Sequence, residues 1–214
     1  MGKQSKYSPL IGVVFAALFV PAMFVNSTPS NNNPAKWADF YAKHSNQVTA
    51  VVDAYLFVLA ALALLGFLLV LRTRLAGAMP AFAFYSGVIA AAGLTTAGGL
   101  LATVGGNLLF NNGSEKFPID GNVANYVTST GFPVLLVSSM LPLAFCLGGF
   151  AYAVIRTRAL PAWIGWFAIL PALGLLFAVV FLPILLLPAY TLIVGVALTL
   201  RGSPEPAAAA VRPA

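Results

Sequence analysis

The stretch VVDAYLFVLAALALLGFLLVLRTRLAGAMPAF, residues 51–82, decides how this chain folds. Positions 54–71 carry no charge and no alternation of polar with apolar residues. A run of about 20 such residues matches the ~30 Å hydrocarbon thickness of a bilayer at about 1.5 Å of helix rise per residue. A spanning β-barrel would instead need short strands of alternating character. Arg72-Thr73-Arg74 stops the run, Pro80 follows, and a second apolar run begins. The same punctuation recurs in YAVIRTRALPAWIGW, residues 152–166, where Arg156 and Arg158 precede Pro161.

Composition extends this reading to the whole chain. Of 214 residues, 60% are hydrophobic and 7% charged, against about 25% charged in soluble domains. So few charges do not cover a soluble exterior, and the fold class is an all-α membrane protein. The formal net charge of +6 does not point to nucleic acid, because the basic residues sit at the ends of apolar runs, where they orient spans and meet anionic lipid. The lone Cys146 forms no intramolecular disulfide and reads as a small core residue.

Six spans are expected, near residues 10–25, 48–71, 80–104, 132–155, 162–178 and 183–200, with a disordered tail at 202–214. The first follows Lys3 and Lys6 like a signal peptide but lacks an A-x-A site, so it reads as a retained helix, with Pro21 bending or fraying its outer end. Residues 162–200 contain no charge; as one helix they would run about 58 Å, so they divide into two spans with a tight hairpin at VVFLP. The third span is rich in small residues, with Gly87/Ala91, Gly93/Ala97 and Gly98/Ala102 at the spacing that lets helices approach closely in lipid. It is expected at the centre of the bundle, and as the route by which the chain binds another membrane protein or itself. In the fourth span, Pro142 should introduce a kink, and Asp120 should cap a lead-in helix through NVANYVTST.

Asn33-Pro34 reads as a helix start. Trp37, Phe40, Tyr41, His44 and Val48 then fall on one face, opposite Lys36, Asp39 and Lys43. This predicts one short extracytoplasmic amphipathic helix lying among lipid head groups, with Trp37 and Tyr41 as interfacial anchors. Trp163 and Trp166 are expected to anchor the other interface.

Six spans with both termini cytoplasmic place eight Lys and Arg residues inside and three outside. Arg72, Arg74, Arg156 and Arg158 set that topology, their stems on apolar surface and their guanidinium groups at phosphates. Each proline after an Arg-Thr-Arg is expected to open the next helix. The two hairpins would be parallel repeats if duplicated, although arginines after a span are equally ordinary orientation signals.

The layout resembles the uncharacterised multi-pass membrane proteins of actinobacteria and related bacteria, the families of unknown function with an LPRWLGWL signature. That signature reads here ALPAWIGWFAIL, residues 159–170, with Ala162 in place of the arginine. The segment PAKWADFYAKHSNQVTAVVDAYLFVLAALALLGFLLVLRTRL, residues 34–75, is similar to the family's polar lead-in and second span. The resemblance implies six helices in a bacterial cytoplasmic membrane and no catalytic residue.

Asp53 is the one ionisable side chain expected inside a span. It reads either as a proton- or cation-coupling group or as a structural carboxylate near the interface, with Thr49 one turn back as a hydrogen-bond donor. His44 is the only histidine, too few for a metal or bis-histidine haem site; a head-group contact suits it better. A continuous helix would keep it about 13 Å from Asp53. Thr95, Thr96, Ser138 and Ser139 would either line a polar path or bond back to the preceding turn. Asn26 and Asn112 head sequon triplets, incidental in a bacterium. No Walker loop, G-x-S-x-G, H-E-x-x-H or C-x-x-C is present, and no cofactor is expected. The functional classes are therefore a non-enzymatic accessory protein that binds a membrane partner or, alternatively, a small transporter or channel using Asp53. An intramembrane enzyme ranks last.

Overall fold

The computed structural model describes residues 7–25, 28–29, 33–75, 77–111, 118–177 and 182–201. The regular structure of these residues is all helical, with no strand among them. The order is α1 (Ile11–Val25), α2 (Pro34–Ala42), α3 (His44–Thr73), α4 (Ala78–Phe110), α5 (Gly121–Val134), a π-helical turn (Leu135–Met140), α6 (Leu141–Thr157), α7 (Ala162–Leu176) and α8 (Leu186–Leu200). Single 3-10 turns at Ser8–Leu10 and Leu182–Leu185 lead into α1 and α8. Lys3, Lys6, Asn26, Asn112, Lys116, most of the VVFLP hairpin and the tail lie outside the described residues.

Four helical stretches are long and apolar enough to cross a membrane: Ser8–Val25, His44–Thr73, Ala78–Phe110 and Gly121–Thr157. The last runs 37 residues without a break, and at its start Asp120 accepts bonds from the backbone N–H groups of Asn122 (2.8 Å) and Val123 (3.4 Å) and satisfies donors the first turn leaves open. The apolar α7 and α8 have 15 residues each, about 22 Å of helix. Pro21 does not end α1, which continues to Val25.

The helix α4 is central. It packs against α3, α5, the π turn, α6 and the side of α2. The expected small-residue pairs supply those contacts: Gly87, Ala91, Gly93, Ala97, Gly98 and Ala102 are all buried. Gly87 lies against Leu68 and Cys146, and Gly98 against Phe57. These pairs are buried inside the chain's own bundle, against its other helices.

The expected kink at Pro142 takes the form of the π turn. A helical proline clashes with the carbonyl four residues back, here that of Ser138. The wider turn at Leu135–Met140 relieves this, and the Ser138 carbonyl sits against Gly93, where a Cβ would collide with it.

The two Arg-Thr-Arg turns differ. The first ends with Arg74 in the right-handed region, and the chain turns into α4 through Gly77 at φ 112°. The second ends with Arg158 left-handed, at φ 53°. Neither proline opens a helix: Pro80 is the third residue of α4, and Pro161 is the N-cap of α7. Both turns lie at the same end of the bundle. Gly12 at the start of α1 touches Phe67 near the end of α3 and Thr191 of α8, Gly195 of α8 touches Pro9, and Gly149 of α6 touches Ala83 of α4.

At the other end, α2 folds over α3, α4 and α5. Its start is fixed by Asn33, whose side chain accepts from Ala35 N–H at 3.0 Å. Its end is fixed by two amides of the next helix: Asn46 Nδ2 donates to the Phe40 carbonyl (2.8 Å) and Gln47 Nε2 to that of Tyr41 (2.7 Å). Lys43, extended at φ −85°, ψ 119°, makes the corner, so α2 does not run into the second span.

Candidate functional site

Two buried polar side chains, Gln47 and Thr128, meet Tyr41 under α2. Tyr41 and Thr128 are both 0% exposed, and their hydroxyls share a hydrogen bond of 2.8 Å. Gln47 (3% exposed) bonds the Tyr41 carbonyl from below, and Asp53 (1% exposed) lies further along α3. Trp37, Tyr41, Ala50, Leu108 and Ala124 form a small apolar cluster around this group, separate from the main core. Burial pushes the Tyr41 phenol up from its ordinary value; the bond to Thr128 opposes the rise, and the Asp53 carboxylate adds to it.

This corrects the interfacial reading of α2. Trp37 and Tyr41 face protein, not head groups. An apolar stripe looks the same in sequence whether lipid or protein covers it; here Gly121, packed against the Pro34 carbonyl, lets α5 approach closely enough to cover it. His44 is the first residue of α3 and exposed. It is separated from Asp53 by unbroken helix, as the spacing requires. Trp163 and Trp166 are exposed, at 39% and 63%.

Thr49 does not serve Asp53; its hydroxyl donates to the Ser45 carbonyl at 2.8 Å. Thr95 and Thr96 likewise bond back to the carbonyls of Ala91 and Ala92, both at 3.0 Å. Ser139, in the π turn, is buried with its hydroxyl unpartnered among the described residues. Asp53 does border a cavity of about 20 Å³, with Ala22 and Met23 of α1, Thr28, and apolar side chains of α3, α4 and α5. That is room for about one water. None of Thr95, Thr96, Ser138 or Ser139 lines it, so the hydroxyls expected along a polar path do not share it.

Arg72 is partly covered, its guanidinium 4.8 Å from the centre of the Phe84 ring and 5.5 Å from that of Tyr85. Partial burial lowers the pKa of Arg74. Arg156 and Arg158 are exposed. Among the described residues no group of three or more His, Cys, Asp or Glu is placed to hold a metal.

One feature escaped sequence reading. The face of α4 opposite its buried side exposes Phe82, Tyr85, Ile89, Ala92, Thr96, Gly99, Thr103 and Phe110. Apart from half-buried Gly106 before Phe110, these alternate at three and four residues. The middle is small and smooth, because Thr96 and Thr103 turn their hydroxyls onto the carbonyls of Ala92 and Gly99. The cue was in the sequence, but α4 has small residues on so many sides that their spacing alone did not tell the outer face from the inner.

No family model, curated protein or solved structure matches this chain.

Proposed function

We propose that the protein is a non-enzymatic accessory protein of a bacterial cytoplasmic membrane, with six spans and both termini in the cytoplasm, that works by binding another membrane helix. Its contact surface is the outward face of α4, not the glycine pairs already spent inside the bundle. The observation that carries this reading is the exposed run Ala92–Thr96–Gly99–Thr103. In lipid, apolar bulk gives no attraction between helices, so small residues that permit close backbone approach are the usual contact surface, and spacing of three and four suits a left-handed helix pair. Six spans follow if α7 and α8 each cross with the help of flanking residues. The arginine-bearing turns then share the cytoplasmic face, as the bias in basic charge favours. The resemblance of residues 159–170 to the uncharacterised bacterial families agrees with this architecture.

Transport ranks second because the cavity at Asp53 is about the size of one water and excludes the hydroxyls of α4 and the π turn.

The test is purification of the tagged chain in mild detergent after cross-linking in its own membranes. Gly99→Leu and Ala92→Leu should abolish the cross-linked species without loss of stability, since a Cβ at Gly99 meets no atom within 4 Å. Cross-linking that both variants leave untouched would sink the assignment.

A further inference from the structure

We propose that the groove between α6 and α7 holds one acyl chain of an anionic phospholipid, whose phosphate meets Arg156 and Arg158.

The groove encloses about 200 Å³. Its floor is Ala144 and Gly148 of α6 with Ala172 of α7, and Phe145, Leu173 and Leu176 stand exposed along its rims. It is open because Gly148 carries no side chain: a Cβ built there meets no atom within 4 Å. Nearer the arginines, Gly165 of α7 seats against Ala151, Val154 and Ile155 of α6. The two helices touch there and leave a slot beyond. A slot of this size does not admit a helix, which is about 10 Å across with its side chains. An extended hydrocarbon chain fits along it.

Apolar shape alone selects no lipid, because one tail is as apolar as another. The selection comes from charge at one end. On α6, Phe145, Gly148, Tyr152 and Arg156 follow at intervals of three and four residues and share a stripe; on α7, Trp166, Ile169 and Leu173 do the same. Arg156 stands eight residues beyond Gly148, about 12 Å of helix rise. A phosphate at its guanidinium therefore sends a chain down the stripe and into the slot within one leaflet, about 15 Å deep. Tyr152 and Trp166, both exposed, lie between the two, as aromatic residues do below head groups.

The arginines have charge to spare. Arg72 of the first Arg-Thr-Arg turn lies against the rings of Phe84 and Tyr85. Arg156 and Arg158 are exposed, and among the described residues neither guanidinium has an ion pair or a ring contact. The described carboxylates belong to the other end of the bundle: Asp39 to α2, Asp53 to the first half of α3 and Asp120 to the cap of α5. An unbalanced basic pair beside an interhelical groove is complementary to an anionic head group. This requires only that the helices sit in lipid; it does not rest on the partner-binding reading or on which face is cytoplasmic.

The experiment is native mass spectrometry of the purified full-length protein in detergent, with phosphatidylglycerol or phosphatidylcholine of identical acyl chains added. One phosphatidylglycerol should bind per chain, about thirtyfold more tightly than phosphatidylcholine, or roughly fivefold for each arginine. Arg156→Gln combined with Arg158→Gln should erase that preference. Gly148→Leu should fill the slot and remove the bound lipid while leaving the unfolding midpoint in place. Equal binding of the two lipids overturns the assignment, as does a preference that survives in the double glutamine variant. If that variant does not fold, Gly148→Leu decides: undiminished binding overturns it. A diazirine-bearing residue in place of Leu173, irradiated in native membranes, should capture phospholipid; capture of a protein instead overturns the assignment too.

Discussion

Tyr41 on α2 and Thr128 on α5 lie 87 residues apart in the chain, yet their hydroxyls bond at 2.8 Å with neither side chain exposed. The bond joins the one short helix to the longest helical stretch of the bundle. Trp37 and Tyr41 exclude water around it, and the amides of Asn46 and Gln47 hold the end of α2 in place. The short helix is therefore a fixed part of the fold and not a float on the membrane surface.

Tyr41→Phe should loosen α2. It leaves the Thr128 hydroxyl buried without its partner, which costs ~1–3 kcal/mol. Trypsin should then cut faster at the exposed Lys36 and Lys43, while the unfolding of the long helices changes less. Adding Thr128→Val removes the orphaned hydroxyl, so the double variant should recover part of the loss. Equal cleavage rates in wild type and Tyr41→Phe would refute the latch.

Alkali should undo the same contact. The folded-state pKa of Tyr41 lies above its ordinary value of 10.0, chiefly through burial, so the native state holds the phenolic proton more tightly than the unfolded chain. That stability is complete below pH 10 and falls as pH climbs toward the folded pKa. Tryptophan fluorescence followed through an alkaline titration should report Trp37 leaving its site, and Tyr41→Phe should flatten that response.

Glycines on opposite sides of α4 should respond oppositely to alanine. At Gly93 the new Cβ meets the Ser138 carbonyl, and forcing the π turn away should cost ~1–3 kcal/mol. At Gly99 nothing stands within 4 Å, and replacing a helical glycine with alanine should gain up to ~1 kcal/mol. Unfolding midpoints of the two variants, measured in one detergent, test the pair; equal shifts would contradict the packing.

Cysteines placed beside Arg72 and Arg156 should both react with an impermeant thiol reagent only after the cells are opened. Both turns occupy one end of the bundle, so labelling from opposite faces would remove the proposed topology.

The long helices were legible because a run such as residues 54–71 has one solution in lipid. The Asp120 cap was legible too, since a carboxylate before NVANYVTST has an evident local use. What the sequence concealed depended on neighbours distant in the chain. The aromatic face of α2 did not disclose that α5 would cover it. The small pairs of α4 announced close packing but not which helices would use them. The partnership of Tyr41 with Thr128 leaves no mark in the local pattern of either residue. Pro142 did foretell a disturbance, but a π turn in place of a simple bend depends on Gly93 making room across the helix pair. The Arg-Thr-Arg turns look alike in letters and differ in backbone, because Gly77 is available to the first and no glycine to the second.

The π turn also sets the rotational phase between the two halves of the longest helical stretch. Adding one residue to the ordinary α-helix between Gly131 and Leu135 would rotate everything before it by about 100° relative to α6. Thr128 would swing away from Tyr41, and Gly131 from its seat against Leu101. The length of the α-helix before the turn is thus as constrained as its composition, whereas the turn itself, bonded five residues back in place of four, is where one residue can be taken out with least change of phase.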